Sequence, residues 1–402
     1  MSETPDPPTH YPIAKIGRLI FLGCALGIGW AGGFAAAKWS SPSRDRLLNA
    51  ARKQIKTGEF AQAVTLLQRT PSDPADVESQ YWLGQALLQT QRPAEAAAAL
   101  SRIPIDHPLG IDARGEAGIA WLTAGYLDRA EEALREFAVR RSGPSTQREE
   151  LRWLYFNTLR PRAGRQLLLS AVPVERDNLG LLIDLLLMEF RRQLPRDGMP
   201  YLLQVQQRVP NQFTVLVALA DCEWQTGNRE AAQQHLKLAL DLRPTEPAAL
   251  LMLAEWALET GQTGLAEQTL KSLDALTAEQ SAGDERLALL YGQVELRLGH
   301  DDRAVDWLRK AIEQAPGEAA PVQLLGQAYR HLGQIDKANE QFQRAKELDD
   351  TRIELANIVY QGQLEQPTSA IAREVARLCA IRNRTVEAEQ WQRWASQLPP
   401  AK

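Results

Sequence analysis

One 34-residue register runs through most of this chain, and it limits the possible folds more than any other feature. The stretch LYGQVELRLGHDDRAVDWLRKAIEQAP begins at Leu290, and LLGQAYRHLGQIDKANEQFQRAKELDD begins at Leu324. Laid over each other they set Gly292 on Gly326, Gly299 on Gly333, Ala304 on Ala338 and Ala311 on Ala345. With Gly326 numbered as position 8 of a unit, units start at Val77, Ile111, Ser145, Leu179, Phe213 and Pro247. After a four-residue insertion they resume at Glu285 and Ala319, and weaker matches start at Arg44 and Ser369.

Position 20 is then Ala63, Ala96, Ala130, Gly164, Gly198, Ala232, Ala266, Ala304, Ala338 and Ala388. Position 24 is Leu67, Leu100, Leu134, Leu168, Leu202, Leu236, Leu270, Leu308 and Phe342, and fails at Gln392. At 3.6 residues per turn, positions 4, 7, 8 and 11 share one side of a first helix, and positions 20, 24 and 27 share one side of a second. Two antiparallel helices approach to about 8 Å only where the crossing side chains are small, which accounts for the alanines and glycines. Gly58, Gly125, Gly227, Gly261, Gly299 and Gly333 hold position 15, where a helix stop needs a residue that tolerates positive φ. Pro108, Pro210, Pro244, Pro316 and Pro400 hold position 32, where a missing N–H ends the second helix.

The pattern W-x2-L-G-x2-Y, then A-x3-F, A and P over 34 residues resembles the tetratricopeptide repeat. The resemblance implies an all-α fold, a right-handed α-solenoid superhelix of about ten helix-turn-helix units with a concave face. It covers residues 44–348, resumes over 369–402 as a terminal capping unit, and leaves 349–368 as an irregular stretch or an extra helix. Trp391 and Trp394 are expected to shield the final face. The pattern is weakest in the units at Ser145 and Leu179, where Arg152 and Leu186 replace the glycine of position 8.

The N-terminus carries a second signal. Residues 19–37, LIFLGCALGIGWAGGFAAA, hold no charge and as a helix would cover about 28 Å, close to a bilayer core. The expectation is one transmembrane helix preceding the array: a disordered tail over 1–18, the anchor over 19–37 and a linker over 38–43. The rival reading is a secretory signal cleaved near Ala35, Ala36 and Ala37. Gly23, Gly27, Gly29 and Gly33 repeat the G-x-x-x-G spacing that lets membrane helices pack, so a homo-oligomer is a further expectation. The expected location is a single-pass protein of a bacterial inner membrane, with the side of the array left open because basic residues flank the span on both ends.

Chemistry is sparse. A net charge of -4 argues against a phosphate-binding surface, so nucleic acid is not expected as a partner. Cys24, Cys222 and Cys379 lie far apart, which signals neither a disulfide framework nor a zinc site. No HExxH, GxSxG or GxxxxGK motif is present, so no catalytic residue, cofactor or metal is expected. The repeats take up nearly all the chain after the span and leave no room for a catalytic domain.

The resemblance instead implies binding of proteins or peptides through unit positions 2, 5, 9, 12 and 13 of the first helices. These include Tyr81, Gln85, Trp153, Phe156, Asn157, Phe190, Arg191, Asp221, Trp224 and Gln225. Glu255, Glu259, Gln293, Arg297 and Arg330 continue the series. The rings at Trp153, Phe156, Phe190 and Trp224 would form an apolar strip, and Asp221, Glu255 and Glu259 would favour a basic partner. For Phe156, Phe190 and Trp224, packing between helices is an equal reading. The expected function is a membrane-tethered scaffold without catalysis of its own. An accessory subunit of an envelope enzyme or assembly complex is the alternative, as is a secreted repeat protein.

Overall fold

Our computed structural model describes residues 42–400 apart from 70–75, 142, 144, 174, 176, 191–193 and 278–284. Among the described residues there are twenty helices and no strand. In chain order they are α1 (Pro42–Thr57), α2 (Phe60–Leu67), α3 (Val77–Gln89), α4 (Pro93–Leu100), α5 (Gly110–Ala124), α6 (Leu127–Arg140) and α7 (Thr146–Asn157). Then come α8 (Pro161–Ala171), α9 (Leu179–Phe190), α10 (Pro195–Arg208), α11 (Phe213–Gln225), α12 (Arg229–Leu242), α13 (Pro247–Glu259) and α14 (Thr263–Thr277). The last six are α15 (Glu285–Arg297), α16 (Asp301–Gln314), α17 (Ala319–His331), α18 (Ile335–Tyr360), α19 (Ser369–Ile381) and α20 (Thr385–Ala395).

Local chemistry starts and stops these helices. The Asp76 carboxylate accepts the Ser79 N–H at 3.1 Å and caps α3, and the Ser145 hydroxyl does the same for α7 through Arg148 at 3.3 Å. Proline opens α4, α8, α10 and α13, where its missing N–H costs nothing. Gly125 ends α5 at φ 87°, a left-handed turn. Gln91, Leu159 and Asn383 occupy the same unit position and take φ of 57°, 56° and 54° without being glycine.

Pairing within the hairpins follows from side-chain size. A Cβ placed on Gly84 would meet Leu100 Cγ at 2.5 Å, and one on Gly118 would meet Leu134 Cγ at 2.6 Å. On Gly292 it would meet Leu308 at 2.6 Å, and on Gly326 the Phe342 ring at 2.7 Å. Position 8 is therefore the seat of the position-24 side chain from the same hairpin. Ala63, Ala96, Ala130, Ala232, Ala266, Ala304 and Ala338 are buried, as are Gly164 and Gly198, while Ala388 is half-buried.

Two hairpins depart from this rule, and they are the two with a large residue in that seat. Leu186 is fully buried, but in a core that it shares with Leu355, Val375 and Trp391. Leu202, which would have been its partner, is buried with Leu134, Val215 and Leu219. Helix α9 has thus left α10 and packs on α8, α18 and α20, while α10 packs on α11. One hairpin earlier, Arg152 turns away to an ion pair with Asp184 of α9 at 2.6 Å.

The gap left by α7–α9 is bridged directly. The Asp128 carboxylate of α6 accepts the backbone N–H of Phe213 and of Thr214, each at 2.9 Å, and so caps α11 from another hairpin. The Gln212 amide donates to the Gly125 carbonyl at 2.8 Å. Helix α6 therefore meets α11 while α9 meets α18 and α20, and the order of packing closes on itself.

Charged groups seal the closure. Arg382, 1 % exposed, donates to Glu189 at 2.6 Å, to Glu318 at 3.0 Å and to the Gly317 carbonyl at 3.1 Å. Arg384 also binds Glu189, and Arg165 binds Glu387. Burial alone would raise the Glu189 carboxyl, but hydrogen bonds and charge from Arg384 and Arg382 override it and hold it at about 2. The Tyr360 hydroxyl donates to the Phe190 carbonyl at 2.6 Å, which ties the end of α18 to the end of α9.

The expected membrane location is corrected. No helix among the described residues is long and apolar enough to cross a membrane. The segment 19–37, with Gly23, Gly27, Gly29 and Gly33, lies outside the described residues, so no membrane partner or location is assigned.

Candidate functional site

Helices α5, α7 and α9, each the first of its hairpin, carry a carboxyl at unit position 6, as Glu116, Glu150 and Asp184. Glu116 of α5 is pushed up to about 7 by burial, less what the Gln85 hydrogen bond gives back, with Asp112 adding repulsion. Burial also raises Glu150 of α7, with Glu149 adding to it. Asp184 of α9 is raised by burial against the pull of Arg152, and Glu149 again adds repulsion. In all three, burial is the largest cause of the shift and a neighbouring carboxylate adds to it.

Trp153 stands on α7 one helical turn from Glu149 and Glu150. Its indole is 42 % exposed and meets the Tyr201 ring of α10 edge to face at 5.3 Å. Burial lifts the Tyr201 hydroxyl to about 12, and Glu150 contributes to the same shift. An exposed indole, a phenol and several carboxylates are a combination suited to a cationic side chain carried on an apolar stem.

The other expected groove residues are distributed differently. Phe190 is 7 % exposed inside the core shared with α18–α20, and Phe156 is half-buried against the same core. Trp224 is 6 % exposed and stacks on Trp256 at 4.0 Å, with Arg229 on its ring at 3.5 Å and its N–H given to Glu259 at 2.7 Å. Asp221 accepts from Gln225 at 2.8 Å, which places these two, Trp224 and Glu259 in one neighbourhood, with Glu255 half-buried on α13. Arg297 donates to the Leu258 carbonyl, Arg330 lies over Phe342 at 5.7 Å, and Gln293 is half-buried.

Tyr81 is half-buried and meets Trp82 edge to face at 5.8 Å, and Asn157 bonds the Trp153 carbonyl at 2.8 Å. Arg191 lies outside the described residues. The strip of four rings is thus one exposed indole and three rings at least half-buried between helices. The acidic run of Asp112, Glu116, Glu149, Glu150 and Asp184 escaped the sequence reading because most of these residues hold unit position 6, beside the positions assigned to the groove.

Reactive groups are scarce. His235, His300 and His331 each contact a single carboxylate, at 2.6, 2.7 and 2.9 Å. Burial pushes the Cys222 and Cys379 thiols up to about 12, which keeps them protonated. Among the described residues no three His, Cys, Asp or Glu side chains gather as metal ligands would.

Comparison with known proteins agrees with the hairpin geometry. One tetratricopeptide repeat family model matches residues 48–111 and 270–319, a second matches 224–290 and a third matches 322–352. Over these residues the chain is built of tetratricopeptide repeats. The matches pass over residues 112–223, the segment that holds Arg152 and Leu186. No curated protein matches.

Solved structures that match include the Cut9 and Hcn1 hetero-tetramer of APC/C, at 14% identity over 87% of this chain and 89% of that one, with a TM-score of 0.39. MamA from Desulfovibrio magneticus RS-1 is 21% identical over 43% of this chain and 96% of its own, with a TM-score of 0.34. A tetratricopeptide repeat protein from Parabacteroides merdae is 13% identical over 79% of this chain and 99% of its own, with a TM-score of 0.35.

Proposed function

We propose that this repeat protein is a non-catalytic interaction scaffold that holds a basic segment of a partner protein against Trp153. The observation that carries the reading is an indole left 42 % exposed one helical turn from Glu149 and Glu150, with the Glu150 carboxyl raised by burial and by Glu149. A Lys or Arg arriving there would relieve that repulsion, and its aliphatic stem would cover the Trp153 ring. Phe190 and Trp224 would act indirectly, by fixing the helices that present the site.

The test is capture of partners by the full chain with a photo-crosslinking residue at Tyr201, compared with Trp153→Ala and with Glu149→Lys/Glu150→Lys. The expected result is a partner crosslinked through a Lys/Arg-rich segment, lost in both variants and weakened by salt. A crosslinked set that neither variant alters would overturn the reading.

A further inference from the structure

Two of the three aromatic residues at position 11, Trp121 and Tyr329, sit in a seat built from two hairpins, while the third, Tyr155, has Arg160 over its ring at 5.1 Å. Trp121 gives its N–H to Ser101 of the preceding hairpin at 3.4 Å, lies against Tyr126 at 5.1 Å and carries Arg129 on its face at 4.8 Å. Tyr329 takes a hydrogen bond from Arg309 of the preceding hairpin at 2.7 Å and has Lys337 over its ring at 5.5 Å. Ser101 and Arg309 share unit position 25, and Arg129 and Lys337 share position 19.

In the hairpin of α13 and α14, position 11 is Ala257, and the seat is a cavity of about 350 Å³. Its lining includes Lys237 at position 25 of the preceding hairpin, Leu265 at position 19 and Gln262 at the position of Tyr126. Trp224, Trp256, Leu240 and Leu253 form an apolar wall, and Gln233, Asp241 and Thr260 add polar groups to the lining. The unit positions that surround Trp121 and Tyr329 surround open volume here, because Ala257 supplies no ring.

We propose that this cavity receives a tyrosine side chain presented by a partner protein. The apolar wall takes the ring, and Lys237 lines it from the unit position at which Arg309 donates to the Tyr329 hydroxyl, so a phenol oxygen suits it better than an indole N–H. The seat lies among α12, α13 and α14 and does not depend on the reading of Trp153.

N-acetyl-tyrosinamide is the probe, followed by NMR of the full chain, with N-acetyl-phenylalaninamide and N-acetyl-leucinamide as controls. The expected result is saturable shifts confined to the surroundings of Trp256, Ala257 and Leu265, with a dissociation constant in about the millimolar range. The phenol should bind at least threefold tighter than the phenyl analogue, and Lys237→Met should erase that preference. Ala257→Tyr fills the seat from within and should weaken binding tenfold or more, whereas Trp153→Ala should leave it unchanged.

Shifts that are absent, or spread elsewhere, would overturn the proposal, and the wild-type map decides this even if Ala257→Tyr does not fold. Undiminished binding to a folded Ala257→Tyr variant would overturn it too. So would binding of p-cresol without binding of N-acetyl-tyrosinamide, which would make the cavity a site for free small phenols.

Discussion

Gly84 and Leu100 show what one methyl group decides in this chain. The leucine lies where a Cβ on the glycine would stand, 2.5 Å away from it, so the two helices approach because one side chain is absent. Gly84→Ala should cost about 1–3 kcal/mol in urea unfolding, and Leu100→Ala in the same chain should recover part of that loss. A double variant whose cost is the sum of the two singles would show that the contact does not set the spacing. Positions 8 and 24 are sixteen apart in one hairpin, so their relation was legible in the sequence. The left-handed turns were legible only where glycine marks them; at Gln91, Leu159 and Asn383 the flanking helices impose the same turn on ordinary residues.

At the scale of the helix, α9 shows how a misfit at one position redirects an element. Leu186 fills the seat that Leu202 would need, both remain apolar, and each is buried in a different core. The large residues at Arg152 and Leu186 were visible as exceptions, but nothing in the 34-residue register named the new partner. Glu189, at the end of α9, holds that partner through Arg382 and Arg384. Its carboxyl titrates at about 2 against an ordinary 4.5, a depressed value, so its contribution to stability is present above about 4.5 and lost as pH falls toward 2. Glu189→Gln would leave two buried guanidiniums short of charge and should cost on the order of 3–5 kcal/mol at neutral pH. The variant should also lose much of the wild type's acid-side slope between pH 4.5 and 2, read by urea unfolding at each pH. An unchanged slope would place the acid sensitivity elsewhere.

For the molecule as a whole, closure makes the C-terminal helices part of the core of the middle of the chain. Glu189 and Arg382 are 193 residues apart, a separation that no local spacing encodes, and an open solenoid was the natural expectation from the repeat alone. Trp391, expected to cover a terminal face, is fully buried in the core it shares with α9. Leu355, Val375 and Trp391 share one core with Leu182, Leu185 and Leu186, and at about 1.5–3 kcal/mol per buried side chain this core rivals the net stability of a typical domain. A chain ending at Leu348 should therefore lose amide protection across α9 while α3–α6 and α11–α16 keep theirs, because their cores lie within hairpins that remain. Hydrogen exchange by mass spectrometry reads this directly, and sedimentation should show the bared leucine face driving self-association. Retained protection of α9 in the shortened chain would mean that α9 can return to α10 despite Leu186, and the closure would then be a consequence of the packing and not its cause.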